Sequence, residues 1–192
     1  MDWRLERAIS NVALHHHWLG SLFHGVEQAS IPLMVVITGI LWFFARPGGD
    51  RKWKLACASG YAAAALGYVI AFVIHHVYDR ARPYEAHPAM RHPWSSSTDA
   101  SFPSDHTTVS FGIAFAVLMF DTVAGVILLA AAAIIGIGRL FIGAHYPGDV
   151  AAGVLVGVVV AFVVVRWLRR VAALVAGYVE RVTDPLVSRI AR

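Results

Sequence analysis

The 192-residue chain is 58% hydrophobic and only 15% charged, with a formal net charge of +4. Soluble domains run at roughly 45–50% apolar and about 25% charged, so the composition excludes an ordinary soluble domain and indicates a membrane protein. The basic residues flank apolar runs and form neither a tail nor a basic face, which argues against nucleic acid as a partner, and the single cysteine, Cys57, leaves no disulfide framework.

Residues 2–28 interleave Trp3, Leu5, Ile9, Val12, Trp18, Leu22 and Phe23 with Arg4, Glu6, Arg7, His15, His16, His17 and Glu27. Such a pattern predicts one or two amphipathic helices on the membrane surface. A sixth crossing within 10–28 is the alternative, but four histidines and a glutamate are costly in lipid. Histidines in series point in different directions on a helix, so His15–His17 read as a polar face and no metal site. The charged and histidine-bearing start contains no apolar core of a cleavable signal.

Five membrane-crossing helices follow, over 31–45, 55–74, 107–120, 122–142 and 150–165. A crossing helix needs roughly 20 residues, so the first and third are short. After Trp167, Leu168, Val171, Leu174, Val175, Tyr178, Val179 and Val182 recur at helical spacing among arginines, which predicts a second interfacial helix. The expectation is an all-α, polytopic helix bundle in one domain. It has an amphipathic segment over 1–29, a transmembrane core over 30–167 and an amphipathic helix over 168–192. Arg46, Arg51, Lys52 and Lys54 fall on the same side as Arg166, Arg169 and Arg170, which predicts that side to be cytoplasmic.

Polar residues outside the termini gather in three places: His75 to Pro83 (HHVYDRARP), Ser101 to His106 (SFPSDH) and Gly138 to Asp149 (GRLFIGAHYPGD). Five crossings put all three on the other, extracytoplasmic face. Ser104 is placed to cap a helix whose first-turn amides, near Asp105 and His106, form an anion site. Arg82 and Arg139 add bidentate donors for phosphate oxygens. If Pro147 opens the last crossing helix, Asp149 lies in its first turn, in reach of one imidazole nitrogen of His145; the other nitrogen becomes a better nucleophile. His106 can protonate a leaving oxygen. Guanidinium groups and amides supply the charge stabilisation, so the reading needs neither metal nor cofactor. Taken singly, the cap, the arginines and the His–Asp pair each have a plain structural reading.

Arg82-Pro83, then Pro103-Ser104-Asp105-His106, then Arg139, His145 and Asp149, resemble the three-part signature of the phosphatidic acid phosphatase type 2 superfamily. SFPSDHTT over 101–108 and AHYPGDV over 144–150 resemble its bacterial undecaprenyl-diphosphate phosphatases of the BcrC type, linked to bacitracin resistance. The resemblance implies His145 as a nucleophile forming a phosphohistidine and His106 as the acid. It also implies a lipid diphosphate substrate, cleaved on the outer face of the bacterial plasma membrane in recycling the cell-wall lipid carrier. Two positions depart from the pattern. The usual motif lysine is His75, with Arg80 the nearby replacement charge, and the usual glycine after the motif serine is Asp105. An aspartate there reads as turned away, paired with an arginine, or steering a preference for diphosphate over monophosphate.

Tyr84, Pro88, Met90, Pro93 and Trp94 read as the mouth for a prenyl tail or as a lid. Asp79, Glu85 and Asp99 read as solvated loop charges. Competing functions are a phosphatase of another lipid phosphate, such as phosphatidylglycerophosphate, and a small transporter. The transporter reading predicts charges deep within helices, whereas these gather at helix ends.

Overall fold

The computed structural model describes residues 2–44, 51–87, 94 and 97–190. Of the expectations above, those on Ala45, Arg46, Pro88, Met90 and Pro93 lie outside the described residues. All regular structure among the described residues is helical: α1 (Asp2–His15), α2 (His17–Phe44), α3 (Lys52–Val77), α4 (Pro83–Ala86), α5 (Asp105–Leu118), α6 (Thr122–Phe141), α7 (Pro147–Arg166) and α8 (Arg169–Ile190).

Four of these, α2, α3, α6 and α7, are long and apolar enough to cross a membrane. Their outward residues form an apolar belt. Leu33, Val36, Ile40 and Phe43 on α2, Val126, Ile127, Ile134 and Ile137 on α6, and Leu155, Val159 and Phe162 on α7 are all exposed. Exposed apolar area of that extent would aggregate in water; facing lipid, it is at home.

α5 fills the centre. It has 14 residues, about 21 Å of rise, and packs against α3, α6 and α7. Thr107, Thr108, Val109, Ser110, Gly112, Ile113, Ala114, Ala116 and Val117 are all buried. A helix enclosed by protein needs no lipid-length apolar run, which is why the third predicted crossing is short. Close approach holds it in place. A Cβ on Gly153 of α7 would lie 2.7 Å from the Ser104 carbonyl oxygen, so only glycine allows α7 to approach the start of α5 this closely.

Both termini refine the expectations. The helix that carries the first predicted crossing starts at His17 and runs through Pro32 for 28 residues, with α1 as a separate helix before it. The polar residue expected to bar this, Glu27, pairs with Arg139, and a paired carboxylate inside the protein escapes most of the cost of entering lipid. α8 buries Ala172 and Ala176 and exposes Val171, Leu174, Val175, Tyr178 and Val182. Lys54 Nζ donates to Asp184 at 2.7 Å and Trp42 Nε1 donates to Thr183 Oγ1 at 3.1 Å. These bonds tie α8 to the start of α3 and the end of α2.

Candidate active site

α3 and α6 end, and α5 and α7 begin, at the same end of the bundle, so the three polar clusters meet there. Ser104 is the N-cap of α5, as its sequence position predicts; its buried Oγ accepts from the Thr107 amide at 3.4 Å and from Thr107 Oγ1 at 2.9 Å. The Ser104 amide donates to the Asp149 carbonyl at 3.0 Å, which joins the starts of α5 and α7. Pro147 opens α7, and Asp149 sits in its first turn. The link from α6 to α7 turns at Gly143, whose φ of 68° lies in the left-handed region that favours glycine.

His145 follows that turn and is fully buried. Its Nδ1 donates to the Ser101 carbonyl at 2.7 Å, and its Nε2 lies 3.0 Å from Arg139 Nη2. A guanidinium only donates, so Nε2 carries the lone pair and Nδ1 the proton. Burial, reinforced by the Arg139 and Arg82 charges, holds the imidazole well below the usual histidine pKa. A neutral imidazole with a fixed tautomer and a lone pair beside two guanidinium groups can attack an anionic phosphorus centre.

The expected direct His145–Asp149 bond is not what the fold builds. Asp149 Oδ2 stands 4.0 Å from His145 Nδ1, and Ser101 bridges them. Ser101 Oγ donates to Asp149 Oδ2 at 2.5 Å while its carbonyl takes the imidazole proton. The carboxylate, also buried, accepts further from the Tyr146 amide at 2.9 Å and from Arg80 Nη1 at 2.5 Å. The reason is local: Asp149 turns back to cap its own helix, and the 101–104 segment fills the gap.

Arg82 precedes α4 and is buried; its Nε donates to the Asp99 carbonyl at 2.8 Å and its Nη1 to the Ala144 carbonyl at 3.3 Å. It borders a cavity of about 400 Å³ that His75 and Asp105 also line. Asp99 joins the site there through its carbonyl, although its sequence position suggested only a solvated charge. Arg80 is engaged elsewhere. It spans Asp149 and Asp2, at 2.5 and 2.7 Å, and its guanidinium lies 4.0 Å from the Tyr146 ring centroid. His75 Nε2 donates to the Pro103 carbonyl at 2.8 Å, so it braces the loop that carries Ser104. Neither Arg80 nor His75 stands here as a free phosphate donor in place of the usual lysine. Among the described residues Asp105 pairs with no arginine; its Oδ1 accepts from the His106 amide and from His106 Nδ1, at 2.8 and 2.9 Å. That bond leaves His106 Nε2 as the nitrogen open to a ligand.

Three participants escaped the sequence reading. Ser101 starts the second cluster and was legible there as a neighbour only. Glu27 of α2 binds Arg139 Nη1. Asp2 caps the start of α7 through the Gly148 amide at 2.9 Å. The last two are distant in sequence from their partners and sit in a segment whose charges suit a surface helix.

The model of the PAP2 superfamily matches residues 55–173. Undecaprenyl-diphosphatase BcrC of Bacillus subtilis is 29% identical over 98% of this chain and 97% of that protein. Decaprenylphosphoryl-5-phosphoribose phosphatase of Mycobacterium tuberculosis is 33% identical over 67% of this chain and 68% of its own length. Among solved structures, the transmembrane PAP2 type phosphatidylglycerolphosphate phosphatase of Bacillus subtilis superposes with a TM-score of 0.61 at 22% identity. That match covers 84% of this chain and 83% of the other, and it shows a common fold. With its apolar crossing helices and a matched region that carries all three polar clusters, this chain belongs to the PAP2 superfamily and is a membrane phosphatase.

Proposed function

We propose that the chain hydrolyses undecaprenyl diphosphate to undecaprenyl phosphate and inorganic phosphate through a phosphohistidine on His145. The observation that carries this is the state of His145: buried, neutral, protonated on Nδ1 and presenting the Nε2 lone pair to Arg139. The relative matched along nearly its whole length is an undecaprenyl-diphosphatase, which favours this substrate over other lipid phosphates.

In the first step Nε2 attacks the terminal phosphorus and the bridging P–O bond breaks. His106 protonates the departing oxygen of undecaprenyl phosphate. Asp105, on the other ring nitrogen, holds the ring so that Nε2 faces the departing oxygen. Arg82, Arg139, the Ser104 hydroxyl and the first-turn amides of α5 hold the equatorial oxygens as charge develops. As phosphorus takes the Nε2 lone pair, positive charge on the ring is met by the Ser101 carbonyl and, through its hydroxyl, by Asp149. In the second step water attacks the phosphorus of phosphohistidine and passes its proton to His106. The N–P bond breaks and phosphate leaves. One water is consumed and both histidines return to their starting states.

The site faces the extracytoplasmic side in this reading, supported by the basic residues Arg51, Lys52, Lys54, Arg166, Arg169 and Arg170 at the opposite end. The test is phosphate release from undecaprenyl diphosphate in detergent, with a chelator present, for the wild type beside His145→Ala. The expected outcome is a loss on the order of 10⁴-fold or more, as for removal of other covalent nucleophiles. Acid-labile phosphate should be trapped on the wild-type chain only. Full activity in the variant would defeat the mechanism, and a wild type active only on phosphatidylglycerophosphate would defeat the substrate.

A further inference from the structure

The one carboxylate of α2, Glu27, stands where a crossing helix meets the site. An ionisable group within a crossing helix is costly unless it is paired, and it marks function when it is. One oxygen of Glu27 binds Arg139 Nη1; the other lies 3.4 Å from His24 Nδ1. The Arg139 side chain is itself buried. Its Nη2 lies against His145 Nε2, and its Nε has no partner among the described residues.

The three nitrogens of a guanidinium are not equivalent. Nε and Nη2 share one edge, with two parallel N–H bonds spaced to meet two oxygens of one phosphate; Nη1 lies at the far side. Glu27 occupies Nη1. That choice leaves the two-pronged edge turned toward His145 Nε2, with the Nε proton unused. Were Glu27 absent, the Nη2 contact with His145 would be the one bond left on the buried guanidinium among the described residues; the plane could turn about it, and the edge presented to a phosphate would no longer be set.

Resting on the phosphohistidine reading above, we infer that Glu27 is a positioning residue. It fixes the Arg139 guanidinium so that its Nε/Nη2 edge receives two oxygens of the phosphoryl group in flight to His145. The first crossing helix, which lies outside the matched family region of 55–173, thereby supplies a working part of the site. A carboxylate held on the far side also offsets the charge of Arg139 while the site is empty, which lets a buried cation stand there without substrate.

The test compares Glu27→Ala, Glu27→Gln, Arg139→Ala and the double variant Glu27→Ala/Arg139→Ala in detergent. Three readouts are taken: steady-state phosphate release from undecaprenyl diphosphate, melting temperature without ligand, and the melting shift caused by orthovanadate, an oxyanion that mimics the transferring phosphoryl group. Misplacing a catalytic group by about 1 Å costs about 100-fold. Glu27→Ala should therefore lose about 100-fold in kcat, with a smaller change in KM, and lose the vanadate shift. Glu27→Gln keeps an oxygen acceptor for Nη1 and should recover to within about tenfold of wild type. In the Arg139→Ala background, Glu27→Ala should cost nothing further, because Glu27 acts only through Arg139.

A Glu27→Ala protein with wild-type kcat and vanadate shift would overturn the inference. So would additive losses in the double variant, or a Glu27→Gln protein as impaired as Glu27→Ala with both melting low, which would mark a merely structural carboxylate. A wild type inactive on undecaprenyl diphosphate would defeat the substrate reading instead; the vanadate shift would then still decide the role of Glu27.

Discussion

The two ends of the bundle hold charges in opposite ways. At the end carrying the three motifs, Arg82, Arg139, His145 and Asp149 are buried; the last three are linked through Ser101, and Arg82 holds the neighbouring Ala144 carbonyl. At the other end, Arg51, Lys52, Asp121, Glu180 and Asp184 keep part of their side chains exposed, and Lys54 is the deeply buried member of these described pairs. A buried charge has no water to fall back on, so the removal of one partner strands the others. An exposed pair is merely replaced by hydration. The first end is thus rigid and intolerant, as suits phosphate chemistry. The second is a docking seam between α8 and the start of α3.

The sharpest break in that contrast is Asp149→Ala. It strips the acceptor from Ser101 Oγ, the Tyr146 amide and Arg80 Nη1 together. Losing one member of a buried ionic network costs about 3–5 kcal/mol, and the same change frees the Ser101 segment that fixes the tautomer of His145. Chemical or thermal unfolding in detergent should show that loss, with activity falling further than stability explains. A variant that melts with the wild type would mean that the network is not the keystone of this end.

How much of this was legible beforehand depended on sequence distance. Ser104 capping α5, Pro147 opening α7 and Asp149 in its first turn are local events, written in residue type and spacing, and they were readable. So was the convergence of three clusters at one end, which follows from counting crossings. The Ser101 bridge was not readable, because a separation of four between His145 and Asp149 says they are near without saying what lies between them. Glu27 was misread for a firmer reason. On its own helix it is a charge among histidines, which indicates water. Its actual environment is set by Arg139, 112 residues away, and no local pattern reports a partner on another helix. The helix that carries the first crossing starts earlier than hydropathy suggests for the same reason, since hydropathy counts a paired carboxylate at full cost.

A smaller effect is the response to acid. The pKa of His145 is depressed by burial and by Arg139 and Arg82, so below pH ~6.5 the unfolded chain takes up a proton that the folded chain refuses. Stability then falls as pH drops from about 6.5 toward the folded pKa, by at most about 1.4 kcal/mol per pH unit, and is flat above. Glu6 on α1 works the other way in the same window. Burial raises its carboxyl to about 7, so its contribution is full below the ordinary glutamate range and disappears as pH rises through about 7. The two oppose each other in the wild type. His145→Asn removes one of them, and its melting temperature should decline less than that of the wild type between pH 7.5 and pH 5. Equal declines would assign the acid sensitivity elsewhere.

The smallest effect belongs to the far end. Arg51 Nε donates to Glu180 Oε1 at 2.9 Å, with half of the arginine side chain exposed. Exposed pairs contribute about 0.2–1 kcal/mol, and Glu180 retains Lys54 at 3.8 Å when Arg51 is removed. Arg51→Ala should leave phosphate release unchanged and lower stability by no more than that range, with added salt narrowing the difference further. Lys54→Ala is the informative partner. Its side chain is 3% exposed and its ammonium is bonded to both oxygens of Asp184, so it should cost several times more. If the two variants proved equal, the far end would not be the tolerant seam described above, and docking of α8 would rest on its apolar face against α3.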